Sequence, residues 1–193
     1  LETDPVKRAS SFDHAQEIAT PSYYSVDLND YGIHAELTGL SRAGIMQFSF
    51  EQEGDHYIVI EPNSDEGVAF VEIDPEKKEI TGYNPVHRIY QGYGKEAGFS
   101  GHFVIQLNEE IADYGVWDST AITSGRKSAK GQKHAVGAWV KLASDKPGKT
   151  RIKIATSFTS IDNARKNLVS EIPGWDFNEV RQVSSDTWNR ALG

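Results

Sequence analysis

RIKIATSFTSIDNARKNLVSEIPGWDFNEVRQVSSDTW, residues 151–188, contains the change of period that decides the fold. RIKIATSF is a strand with Ile152 and Ile154 turned to one side. Ser160 then stands where a helix cap is needed, and Ile161, Ala164, Leu168 and Ile172 follow at three-and-four spacing. Pro173-Gly174 stops that helix. Asp176 with Glu179 has the form of a capping box and opens a second helix bearing Phe177, Val180, Val183 and Trp188. Upstream, the periodic segments repeat every two residues. Many strands followed by two helices point to a mainly β chain, an antiparallel β-sandwich with an appended helical segment, rather than to alternating α/β.

The strands begin at Tyr23. YYSVDL places Tyr24, Val26 and Leu28 on one face and Tyr23, Ser25 and Asp27 on the other. Asn29-Asp30-Tyr31-Gly32 supplies turn chemistry, with Gly32 free to take φ > 0. IHAELTGL then sets Ile33, Ala35 and Leu37 opposite His34, Glu36 and Thr38, so the two runs read as an antiparallel hairpin. AGIMQFSF aligns Met46, Phe48 and Phe50. HYIVIEP, GVAFVEI, EITGY, GHFVIQL, YGVWDS and AVGAWVKL add further short strands, separated by turns such as Asp74-Pro75 and SDKPGKT.

Between two of these strands lies ITGYNPVHRIYQGYGKEAGFSGHFVIQL, residues 80–107. It holds five glycines (Gly82, Gly92, Gly94, Gly98, Gly101) and five rings (Tyr83, Tyr90, Tyr93, Phe99, Phe103). Glycine lets backbone approach a ligand closely, and rings beside Arg88, His87 and Gln91 offer the flat apolar face and fixed donors that sugars require. The same composition also suits a loop whose rings fill the core.

At 193 residues the chain suits one domain and can bury a core without staples. Lysine plus arginine is 20 against 28 acids, a formal charge of −8, which argues against nucleic acid and anionic membranes as partners. No apolar run reaches the ~20 residues of a membrane span. No charged-then-apolar leader opens the chain, so a signal peptide is expected to be already removed or never present. The absence of cysteine excludes disulfides, thiolate metal sites and cysteine nucleophiles. The acids of residues 51–79 are too scattered for a packed-oxygen calcium loop and read as a solvated face. Residues 119–133, with Arg126, Lys127, Lys130 and Lys133, read as an exposed hairpin tip. Leu1 to Ala9 read as a mobile lead-in or as the tail of something cut away. His14 and Glu17 are spaced for a local contact, with no third metal ligand nearby.

Several motifs resemble glycoside hydrolase family ninety-two, the calcium-dependent exo-acting α-mannosidases. They are FDHAQE with Phe12, His14 and Glu17; ATPSYYSVDL; YGIHAELTGLSRAGI; RIYQGYGKEAGFSGHFVI; IATSFTSIDNARKNLVSEI; and WDFNEV. They run in order over nearly the whole chain. Met46-Gln47 departs from the more basic or aromatic pair of many members.

The resemblance implies a galactose-mutarotase-like supersandwich over residues 1–158, lacking its first segment. It also implies a helical linker over 159–193 leading to an (α/α)₆ barrel outside this chain. The family's acid, base and calcium ligands belong to that barrel, so no catalytic or metal-binding residue is carried over here. An inverting glycosidase holds two carboxyls ~6.5–9.5 Å apart. Asp118 and Glu96 are the nearest candidates and read as ordinary surface acids. Arg88, Tyr90, Gln91, His14 and Glu17 are the residues expected at the sugar pocket or at the contact with the barrel. The implied partners are the catalytic domain of the same protein and mannose-containing glycans, and the implied location is periplasmic or secreted. Read from the rings of Tyr90, Tyr93 and Trp139 alone, a free-standing carbohydrate-binding module remains an alternative, as does a purely structural sandwich.

Overall fold

The computed structural model describes residues 1–62, 67–87, 96–132 and 135–193. Thirteen strands occur among the described residues. In chain order the first seven are β1 (Ile18–Thr20), β2 (Tyr23–Leu28), β3 (Ile33–Gly39), β4 (Ala43–Phe50), β5 (Tyr57–Ile60), β6 (Val68–Asp74) and β7 (Glu79–His87). The next six are β8 (Glu96–Leu107), β9 (Ile111–Trp117), β10 (Ile122–Ser124), β11 (Ser128–Gln132), β12 (Gly137–Leu142) and β13 (Gly148–Ser157). Two helices follow, α1 (Ile161–Glu171) and α2 (Phe177–Leu192). They form an antiparallel β-sandwich followed by two C-terminal helices. The large sheet runs β1-β2-β3-β4-β13-β8-β7-β6-β11 and the small one β10-β9-β12-β5.

The period-two pattern explains the layers. On β8, Phe103, Ile105 and Leu107 enter the core between the sheets, while Val104 turns to the opposite face. On β13, Ile152 faces the small sheet and Ala155 faces the helices. On β4, Phe50 and Ile45 divide in the same way. The outer core beneath the helices joins Ile45, Val104 and Ala155 to Ala164, Leu168, Ile172 and Phe177. Each apolar side chain fully removed from water contributes roughly 1.5–3 kcal/mol before the cost of ordering it.

Local chemistry sets the boundaries. Gly32 adopts φ +59 in the β2–β3 turn, a conformation that a Cβ would strain. Ser160 Oγ accepts from the Asn163 amide at 3.1 Å and starts α1. Asp176 Oδ1 accepts from the amides of Asn178 and Glu179 at 3.0 and 3.2 Å and starts α2. The α1 apolar stripe is the one its spacing predicts. In α2 the buried residues are Phe177, Val180 and Ser184, whereas Val183 and Trp188 are exposed. Ser184 Oγ donates to the Gly39 carbonyl at 2.8 Å, and that bond turns Val183, one residue and about 100° away, outward.

Three expectations are corrected. Leu1 to Ala9 are not a loose lead-in: Arg8 is ion-paired with Glu61, and Tyr31 Oη donates to the Arg8 carbonyl at 2.9 Å. Residues 119–133 are not a bare tip, because they contain β10 and β11, and Ala129 lies in the main core. Trp139 is 7 % exposed. Its partner across the ladder is Gly115, and Trp117 sits likewise opposite Gly137. The two indoles cover these glycines so closely that a Cβ at Gly137 would lie 2.0 Å from the Trp117 ring.

Candidate functional site

Four features compete for a functional role, beginning with the motif ahead of β1. A turn at Asp13–Gln16, closed by the Gln16 amide donating to the Asp13 carbonyl at 3.0 Å, brings His14 back over Glu17. His14 Nδ1 lies 2.7 Å from Glu17 Oε2, and Tyr24 Oη donates to the other carboxylate oxygen. Phe12 meets the imidazole edge-on at 4.9 Å. The Tyr24 hydroxyl, then His14, hold the Glu17 carboxyl below its ordinary range, while Glu17 pushes the Tyr24 phenol up. The His14 side chain is 83 % exposed and that of Glu17 only 21 %. Structure thus brings His14 and Glu17 together as an anchored carboxylate with an imidazole at the surface.

The glycine-rich stretch is the second feature. Arg88, Tyr90 and Gln91, with Tyr93, lie outside the described residues. Of its other rings, Phe103 is in the core and Tyr83 stacks on Phe70 at 5.6 Å. Phe99 is exposed and meets Phe158, which follows β13, edge-on at 5.5 Å.

A third feature was not foreseen. On the helix-facing side of the large sheet, hydrogen bonds link four strands to the α1–α2 corner. Tyr23 Oη donates to Glu36 Oε1 at 2.8 Å, and Gln47 Nε2 donates to Glu36 Oε2 at 2.7 Å. Arg151 Nε donates to Gln47 Oε1 at 2.8 Å, and Arg151 Nη1 donates to the Trp175 carbonyl at 2.9 Å. Beside it Lys153 Nζ donates to the Ile172 carbonyl at 3.2 Å and lies 4.3 Å from the centre of the Trp175 ring. Burial pushes the Lys153 ammonium pKa down. Burial opposes ionisation of Glu36, but Gln47 and Tyr23 outweigh it and lower its pKa. The strand register, Glu36 opposite Gln47 and Gln47 opposite Arg151, was the available signal. Gln47 therefore belongs to this internal latch.

Fourth is a cleft of about 540 Å³ between the large sheet and β5. Leu28, Ile33, Phe48 and Phe50 form one wall, and Tyr57 and Ile58 form the other. Its polar groups are engaged elsewhere: Arg8 with Glu61, Asp55 with Lys141 at 2.7 Å, and His56 stacked on Phe50 with Nε2 3.0 Å from the Gln52 carbonyl. Glu2, Gln52 and Glu53 complete a mixed rim around the apolar walls.

Acid–base chemistry needs one carboxyl whose pKa is raised. Among the described residues, every carboxyl group with a displaced pKa is displaced downward: Glu17, Asp30, Glu36, Asp55, Asp74, Asp118 and Glu171. Asp118, a candidate by sequence, is held far below the carboxylate range by Thr120 and by Arg126 at 2.7 Å. The side chain of Glu96 lies outside the description. No group of three histidine or acidic side chains among the described residues could hold a metal, and no helix is long and apolar enough to cross a membrane.

Comparison with known proteins gives a consistent result. Residues 1–157 match the family model described as the glycosyl hydrolase family 92 N-terminal domain. An uncharacterized secreted glycosidase of Arthroderma benhamiae is 28 % identical over 91 % of this chain and 25 % of its own length. A family GH92 inverting mannosidase of Bacteroides thetaiotaomicron superposes over 100 % of this chain and 25 % of its own, with a TM-score of 0.88 and 25 % identity. A family GH92 α-mannosidase of the same organism covers 95 % of this chain and 25 % of its own, with a TM-score of 0.80 and 26 % identity. The chain thus spans about a quarter of the length of these relatives. By sequence and by fold alike, it belongs to glycosyl hydrolase family 92, of which residues 1–157 are the N-terminal domain.

Proposed function

We propose that residues 1–193 are the non-catalytic scaffold of a larger α-mannosidase-like glycoside hydrolase that acts, with inversion, on mannose-containing glycans. The sandwich supports a catalytic domain of the same polypeptide, and α1 and α2 lead toward it. The observation that carries this reading is the match of residues 1–157 to the family's N-terminal domain, in a chain spanning about a quarter of its relatives' length. An inverting glycosidase needs a protonated acid facing a carboxylate across ~6.5–9.5 Å, and among the described residues the displaced carboxyls are displaced downward, which agrees with it. The likeness to family GH92 mannosidases of Bacteroides thetaiotaomicron supports the substrate class.

We assign any calcium of the whole enzyme to residues outside this chain; among the described residues no group of three histidine or acidic side chains is placed to hold a metal. The likeness to a secreted fungal glycosidase supports a secreted or periplasmic location. His14 and Glu17, and Arg88, Tyr90 and Gln91 at the glycine-rich loop, are the contacts we assign to the pocket rim or the domain interface.

The test is hydrolysis of α-mannosides with calcium present. The full-length polypeptide should release mannose, and purified residues 1–193 should release none. Turnover by the 193 residues alone would sink the scaffold reading; failure of the full-length protein on every α-mannoside would sink the substrate class.

A further inference from the structure

We propose that Arg151 and Lys153 are positioning residues: they fix the α1–α2 corner, and through it the direction in which α2 leaves the sandwich for the catalytic domain. The inference rests on the reading above that α2 leads toward such a domain. Arg151 and Lys153 are alternate residues of β13, a strand paired on both edges, and both reach the helix side of the sheet. Among the described residues they alone offer side-chain donors to the backbone of 172–175, at the Trp175 and Ile172 carbonyls. Between those two carbonyls lie Pro173 and Gly174, both exposed, so the corner has little packing of its own to hold it.

Lys153 has the marks of a residue kept for placement rather than for stability. It is 5 % exposed, and its partners are a carbonyl and the face of the Trp175 ring, with no carboxylate paired to it among the described residues. A buried cation without a counter-charge loses more hydration than such partners return, which agrees with its lowered pKa. Geometry gives the corner leverage. α2 is pinned a second time at Ser184, whose hydroxyl donates to the Gly39 carbonyl. Ser184 stands midway between the Asp176 cap and Leu192, with an arm of ~12 Å on either side. Beyond it, Trp188 and Leu192 are exposed. A shift at the corner is therefore carried to the far end of α2 at about equal size and in the opposite direction. Where two domains share a pocket, a misplacement of ~1 Å can cost about 100-fold in rate.

Lys153→Met in the full-length polypeptide tests this, because it keeps an apolar stem, removes the charge and leaves the Ile172 carbonyl without its donor. Three quantities are read: the melting temperature, the distance between spin labels on ketone-bearing residues introduced at positions 146 and 189, and kcat and KM on an α-mannoside. The melting temperature should stay within about 3 °C of the wild type, since the lost bond and the removed buried charge offset each other. The label distance should shift by about 1 Å or more, and kcat should fall about 10-fold or more with KM little changed. A melting temperature lowered further than that, or a variant that does not fold, identifies an ordinary structural support and overturns the proposal. So does an unmoved label pair, or a moved pair with kcat intact. If the wild-type polypeptide cleaves no α-mannoside, the functional reading falls and the first two readouts decide: a moved pair at an unchanged melting temperature leaves the fixed corner standing.

Discussion

Strands β4, β13 and β8 are packed on both faces, against the small sheet on one side and α1 and α2 on the other. At β2 and β3, by contrast, the face turned toward the small sheet is separated from β5 by the cleft, and Leu37 there is 39 % exposed. The same alternating pattern thus yields two environments. A strand in the centre is apolar toward the small sheet and keeps polar residues under the helices only where they are hydrogen-bonded, as Gln47 is on β4 and Lys153 on β13. Stability should be concentrated at the centre, and recognition is left to the periphery.

The largest expected break in that contrast is Leu168→Ala. Leu168 is fully buried beneath α1, and chemical denaturation should register a loss of about 3 kcal/mol. Arg165→Met comes next. It removes the cation 2.7 Å from Glu79, whose side chain is 6 % exposed, leaving that carboxylate with Gln106 alone. Because Arg165 itself is 39 % exposed, the loss should fall short of a fully buried pair, at about 2 kcal/mol, readable in the same denaturation series.

Acid should loosen the periphery gradually. The Glu171 carboxylate accepts from the Arg42 and Ala43 amides at 2.8 and 3.0 Å, which outweighs its burial and lowers its pKa; Glu36 is lowered likewise. A carboxyl with a depressed folded-state pKa stabilises above its unfolded value of about 4.3 and loses that contribution as pH falls through the folded one. The melting temperature should hold from pH 7 to about 5 and decline below that. A melting temperature flat down to pH 3 would mean that the tie between α1 and the β3–β4 turn adds no stability. The smallest effect is Leu37→Ala, at under about 1 kcal/mol, because that side chain is already partly wet. A loss as large as that of Leu168→Ala would erase the distinction between the two regions.

Much of this architecture is legible in the sequence where a local rule acts alone. Ser160 and Asp176 mark both helix starts, and Gly32 marks a turn. Legibility fails where tertiary contact chooses between equal options. Apolar spacing favours Val183, yet the carbonyl of Gly39 selects Ser184. Trp139 reads as an exposed ring because nothing local reveals that Gly115 will lie across from it. Residues 119–133 look like a polar tip, since β11 gains its place only by pairing with β6, more than fifty positions earlier. Of the site candidates, the His14–Glu17 contact follows from spacing. The Glu36–Gln47–Arg151 chain depends on register across three strands and had no local signal.

One consequence concerns synthesis. β13, the last of the described strands in chain order, is also the middle of the large sheet, joining β4, about a hundred residues upstream, to β8. Until the ribosome has released residues 148–157, the nascent sheet exists as two separate pieces with raw inner borders. A chain halted before that point would offer both borders to its neighbours, which makes stalled translation, rather than heat, the circumstance in which this domain most needs a chaperone.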